Sequence, residues 1–159
     1  MPTSEQIPSF EKLRNRIRAK LGKTVATLRK AGYKCEVASS REFYDYLTGE
    51  TPTGDTTTIM DVLANKYLLV HEVVETSELR KIGIPLNTQT VMTFHPNVYE
   101  AHFKALEVEL DHAMSKKDYE WVRARISLAS SWLEDNLMPK QLIPKCKALM
   151  KKFSNIPQE

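Results

Sequence analysis

The sequence predicts an all-α, single-domain bundle of five or six helices, and three observations carry that prediction. Apolar residues recur at three- and four-residue steps through several long segments. Only five glycines and eight prolines interrupt the 159 residues, too few for a turn-rich β architecture. Hydrophobic content of 42% with 27% charged residues fits a soluble globule and not a disordered chain. A chain of this length buries about two-thirds of its unfolded surface, enough for one core. Residues 1–159 therefore read as a single helical domain with no internal repeat.

The elements follow in order. Phe10, Leu13, Ile17, Leu21, Val25 and Leu28 form one apolar stripe, with Ser9 placed to cap the helix and Gly32 to stop it. Residues 34–38 are short and carry extended character. Ser39 with Glu42 offers a capping box for a short helix holding Phe43, Tyr44, Tyr46 and Leu47. Gly49, Pro52, Gly54 and a run of threonines mark residues 48–56 as a mobile loop. A third helix spans about 57–81, started by Asp55 or a threonine and closed by Gly83 and Pro85. Residues 86–94 are β-branched enough to be extended. The fourth helix starts at His95-Pro96, where proline suits the first turn, and runs to about Ser115. A fifth covers about 118–137 and stops before Pro139. A last one starts near Pro144 and carries Cys146, Leu149, Met150 and Phe153 on one face.

Several function classes drop out early. No apolar run reaches the roughly 18–20 residues that span a bilayer, and the first residues show no cationic stretch leading into an apolar one. The expectation is a cytoplasmic protein. Cys35 and Cys146 are too few for a disulfide scaffold or a thiolate zinc site and read as small reduced residues. There is no Gly-x-Ser-x-Gly elbow and no phosphate-cradling glycine loop.

The four histidines are informative by position, because all fall between residues 71 and 112, where carboxylates also concentrate. At about 100° per residue, His71 and Glu75 share a stripe on the flank of the apolar face of helix three. His102 and Glu109 fall among Val98, Ala105, Leu106 and Ala113 on the inward side of helix four. Imidazole and carboxylate groups resist burial unless they are paired or hold a metal. The expectation is that His71, Glu75, His102 and Glu109 face one another across a helix–helix seam and bind zinc, manganese, iron or nickel. Glu72 or His112 would then accept a proton from bound water. The bland alternative is a satisfied polar network, with His71 on Glu75 and Lys66 paired with Glu109. His-Glu-x-x-Glu lacks the second histidine of a His-Glu-x-x-His protease, so that motif is rejected. His71-Glu72 resembles the His-Asp step of the helical metal-dependent phosphohydrolases, but the chain has no His-Asp pair and the ligand set of that family does not carry over. The leading expectation is a metal-dependent hydrolase or related acid–base enzyme.

Two other readings compete. Trp121, Arg125, Leu128 and Trp132 form a second stripe on helix five, suited to a homodimer seam or a protein partner, or else to packing on Leu149 and Phe153. The third reading is a nucleic-acid-associated factor. Residues 1–34 carry nine Lys/Arg against two acids, residues 35–115 five against thirteen, and residues 116–159 nine against five. Internal charge complementarity explains that asymmetry as well, and aromatics do not interleave with the basic positions of the first segment.

Overall fold

The computed structural model describes residues 7–51 and 57–157, and these contain helices and turns but no strand. Helix α1 (Phe10–Lys30) starts where predicted, with the Ser9 side chain accepting from the Lys12 N–H. It buries Leu13, Ile17, Leu21, Val25 and Leu28. Gly32 ends it with φ +92°, a left-handed conformation that costs a residue with a Cβ. Residues 33–39 follow as irregular backbone instead of a strand, and the Glu36 N–H donates to Ser77 Oγ at 2.8 Å. Helix α2 (Ser40–Leu47) carries the complete Ser39–Glu42 capping box and buries Phe43 and Tyr46.

The beginning of the predicted loop 48–56 is docked. The Glu50 N–H donates to the Thr88 carbonyl at 3.0 Å. A Cβ on Gly49 would meet that same carbonyl at 2.6 Å, so glycine is what permits the approach. The rest of that loop, residues 52–56, lies outside the described residues.

The single helix predicted over 57–81 is in fact two, α3 (Ile59–Ala64) and α4 (Lys66–Lys81). Asn65 breaks it, with extended backbone at φ −130° and ψ 119°. Its carboxamide oxygen accepts from the Tyr67 and Leu68 N–H groups at 2.9 and 3.1 Å, offering the chain a cap in place of a continuous helix. The break also changes the phase of Lys66, which is exposed and not directed into the core. Thr58 and Asp61 supply a second capping box for α3.

Residues 86–94 are a turn and the one-turn helix α5 (Thr90–Thr93), not an extended segment. Thr90 Oγ1 accepts from the Asn87 N–H and donates to the Pro85 carbonyl, and these local bonds outcompete the β-branched preference of the segment. Helix α6 (His95–Ser115) has Pro96 in its first turn. Helix α7 (Tyr119–Trp132) is shorter than the predicted 118–137. Asp135 ends it by making a turn of its own, accepting from the Leu137 N–H through Oδ1 and from the Tyr99 hydroxyl through Oδ2. A short 3₁₀ turn then leads into α8 (Ile143–Lys152).

Helix α4 is central, packed against α1, α3 and α6. Ile17, Leu21 and Leu28 of α1 share one apolar cluster with Val70, Val73 and Val74 of α4. Phe103, Leu106, Leu110, Val122, Cys146, Leu149 and Phe153 form a second cluster that joins α6, α7 and α8, with Tyr67 of α4 as its outpost. Helices α4 and α6 make the most extensive helix pair. His71 meets Glu109 while Glu75 meets His102, so the two run antiparallel. Among the described residues, no helix is long and apolar enough to cross a membrane.

Candidate metal centre

Position dictates the first half of the site. His71 and Glu75 are one helical turn apart on α4 and therefore project from the same side. Glu109 and His102 are two turns apart on α6, and the antiparallel pairing brings each opposite one of them. The predicted seam exists. His71 is 2% exposed, Glu75 6% and Glu109 0%, so three ionisable groups sit in the interior and every one must be satisfied there.

At its centre are three atoms. His71 Nε2 lies 3.0 Å from His102 Nδ1 and 3.3 Å from Glu75 Oε1, and His102 Nδ1 lies 3.2 Å from the same oxygen. Each of the three can offer a lone pair once the proton on His71 Nε2 is lost. A single proton bridges two such atoms at a time. A cation about 2.0–2.1 Å from each would engage all three, and tetrahedral ligands at that distance stand roughly 3.3–3.4 Å apart. The observed triangle is close to that size.

The surroundings hold these atoms in place. His71 Nδ1 is 2.8 Å from Glu109 Oε1, which assigns that nitrogen as an N–H donor and turns Nε2 toward the triangle. A carboxylate behind a histidine in this way is the usual support of a metal ligand. Glu109 is fully engaged: Arg125 Nε and Trp121 Nε1 donate to Oε2 at 2.8 and 2.7 Å, and Arg125 also donates to Oε1 at 3.0 Å. On the other side, the Tyr46 hydroxyl donates to Glu75 Oε2 at 2.5 Å and leaves Oε1 for the triangle. The His102 ring packs edge-on to Trp132 at 4.5 Å and remains 26% exposed, the side from which solvent reaches the site.

The electrostatics follow from the same contacts. Burial alone would push His71 down. The bonds to Glu109 and Glu75, with the charges of Glu72 and Glu109, outweigh it and raise the pKa to about 10. The ring is therefore a cation that donates from both nitrogens, and a metal would have to displace the Nε2 proton. Burial would likewise raise Glu75, but the bonds from His102 and His71 hold its carboxyl far below the carboxylate range. Glu109 is lowered against burial by His71 and Arg125. Burial and the charge of His71 lower His102, keeping it neutral.

No family model matches the chain, and the search of curated proteins and the search of solved structures gave no match either. The site is therefore read from its own geometry.

Three of the four expected ligands form the triangle. Glu109, the fourth, stands behind His71 with both oxygens occupied and orients that ring. The expected partner of Glu109, Lys66, is replaced by Arg125, because the Asn65 break leaves Lys66 outside. Glu72 is half-buried and acts on His71 through its charge. His112 lies away from the triangle, edge-on to Tyr67 at 5.9 Å and lining a separate groove. The stripe weighed either as a partner surface or as packing on Leu149 and Phe153 reaches the site: Trp121 and Arg125 bond Glu109, Trp132 lies against His102, and Leu128 is 47% exposed. Tyr46, Trp121 and Arg125 are the site members that sequence reasoning missed. The i, i+4 spacing of Trp121 and Arg125 was a usable signal for the last two.

Proposed function

We propose that this chain binds one divalent transition-metal ion, zinc foremost, through His71 Nε2, His102 Nδ1 and Glu75 Oε1, and uses it for hydrolysis. The convergence of three potential ligand atoms within 3.3 Å in a buried seam supports the reading. Two histidines and one glutamate are a recurrent catalytic zinc set, in which a fourth position is left for water and its pKa falls to about 7. Glu109 and Tyr46 orient the ligands. Glu72, whose charge already acts on His71, is the candidate proton acceptor.

The test is elemental analysis of the chain after zinc loading and dialysis, followed by hydrolysis of nitrophenyl ester and phosphodiester substrates. About one ion per chain is expected, lost in His71→Ala and in His102→Ala but kept in His112→Ala, with hydrolysis confined to the loaded protein. Substoichiometric metal, or binding that survives both histidine variants, overturns it. A second reading rests on one observation, that Glu109 is saturated by His71, Trp121 and Arg125: the cluster is then a polar network that joins α4, α6 and α7. Unchanged thermal stability on chelation favours that reading.

A further inference from the structure

The other end of the α4–α6 seam opens into a groove that the metal centre does not use. Helix α1 lines it with Lys20 and Lys23, the start of α4 with Lys66 and Tyr67, the α6–α7 turn with Lys116, and α7 with Trp121. Its volume is about 670 Å3, within the roughly 300–1,000 Å3 of small-molecule sites. We infer that this groove binds a small polyphosphorylated ligand, with its phosphates on the lysines and the rest of the molecule beside the partly exposed Trp121.

Charge is the first support. Four ammonium groups from three parts of the chain line one concavity, and among the described residues no carboxylate forms an ion pair with any of them. The groove holds a single acid, Asp118, and that carboxylate is already engaged. It accepts from the Trp121 N–H at the start of α7, and its charge adds to burial in raising the Tyr67 hydroxyl. The positive field is felt within the groove: after burial, the charges of Lys116 and Lys66 are what lower His112. Asn65 and Asp118 cap the first turns of α4 and α7, so the lysines and not the helix ends supply the attraction.

The fixed wall of the groove is the second support. The Tyr67 and Trp121 rings lie 5.1 Å apart at 35°, and Lys66 Nζ sits 5.1 Å over Tyr67. Tyr67 is buried, so the pair forms a packed wall, and Lys66 over its ring is held at the edge of the groove where a phosphate can reach it. The compact size of the groove favours a small molecule over a polynucleotide. Lys12, Arg14 and Arg18 of the same basic helix lie outside the lining, so the charge is gathered and not spread along a strand-length track.

The inference does not depend on a metal at His71, and it is tested in chelator. Calorimetric titration of the full chain with ATP, adenosine and a 20-nucleotide single strand separates the outcomes. ATP is expected to bind saturably, and Kd to weaken about tenfold in Lys66→Ala and in Lys116→Ala, the effect of losing one charge-assisted bond. Arg14→Ala is expected to leave Kd unchanged, and adenosine to bind at least tenfold more weakly than ATP. Lys20→Gln gives an independent reading with the side-chain length largely kept, and circular dichroism checks each variant for folding. Absence of heat at millimolar ATP overturns the proposal, as does affinity indifferent to all three lysine changes. Equal binding of adenosine, or an oligonucleotide preferred over ATP, overturns it as well.

Discussion

Helix α4 is packed differently on its two sides. Toward α1, Val70, Val73 and Val74 join Ile17, Leu21 and Leu28 in a purely apolar cluster. Toward α6, His71 and Glu75 meet His102 and Glu109 within two turns. Apolar packing stabilises in proportion to the area buried, and loses in proportion to the cavity left. A buried polar cluster adds little net stability over a hydrophobic replacement of the same volume, yet it fails sharply when one member is removed. The apolar side of α4 holds the bundle together, and the polar side specifies what the bundle encloses.

That contrast can be broken from either side. The largest loss is expected for Glu109→Ala, which leaves Arg125, Trp121 and His71 without their common acceptor. Unfolding in urea is expected to show about 3–5 kcal/mol of destabilisation, and a value below 1 kcal/mol would mean that the network is not felt by the fold. Ile17→Ala on the opposite side, a fully buried position, is expected to cost about 3 kcal/mol. It should leave the metal affinity of the folded protein unchanged, since the cavity opens away from the seam. A parallel drop in affinity would show that the two sides of α4 are coupled. Tyr46→Phe removes only the hydroxyl that donates to Glu75 Oε2. It is expected to cost about 1–2 kcal/mol of stability and to weaken zinc binding about tenfold, measured by competition with a chromophoric chelator. The smallest effect is expected at the junction between α3 and α4. Asn65→Ala removes the cap on the Tyr67 and Leu68 N–H groups and should cost about 1 kcal/mol. A gain in stability there would mean that a continuous helix was the better local state.

Much of the fold was legible because helices declare themselves locally. The Ser9 cap, the Ser39–Glu42 box, the Gly32 and Gly83 stops and Pro96 in its first turn depend on bonds within a few residues of each other. The break at Asn65 was missed because asparagine inside an apolar periodic run fits either a helix interior or a cap, and only the realised backbone decides. Residues 86–94 were misjudged for a similar reason, since Thr90 uses its hydroxyl on Asn87 and Pro85 in preference to pairing as a strand.

At the site, the sequence by itself determined which side chains share a face: His71 with Glu75 on one helix, His102 with Glu109 on the other, Trp121 with Arg125 on a third. Helical periodicity is a property of one segment, so it carries that information without any partner. Which face meets which neighbour was decided only by tertiary structure. The antiparallel setting of α4 and α6 put Glu109 behind His71, and the close approach of α7 turned the Trp121–Arg125 stripe inward onto that carboxylate. The tilt of α2 brought Tyr46 to Glu75. Those choices depend on burying several faces at once, a constraint that no single segment contains.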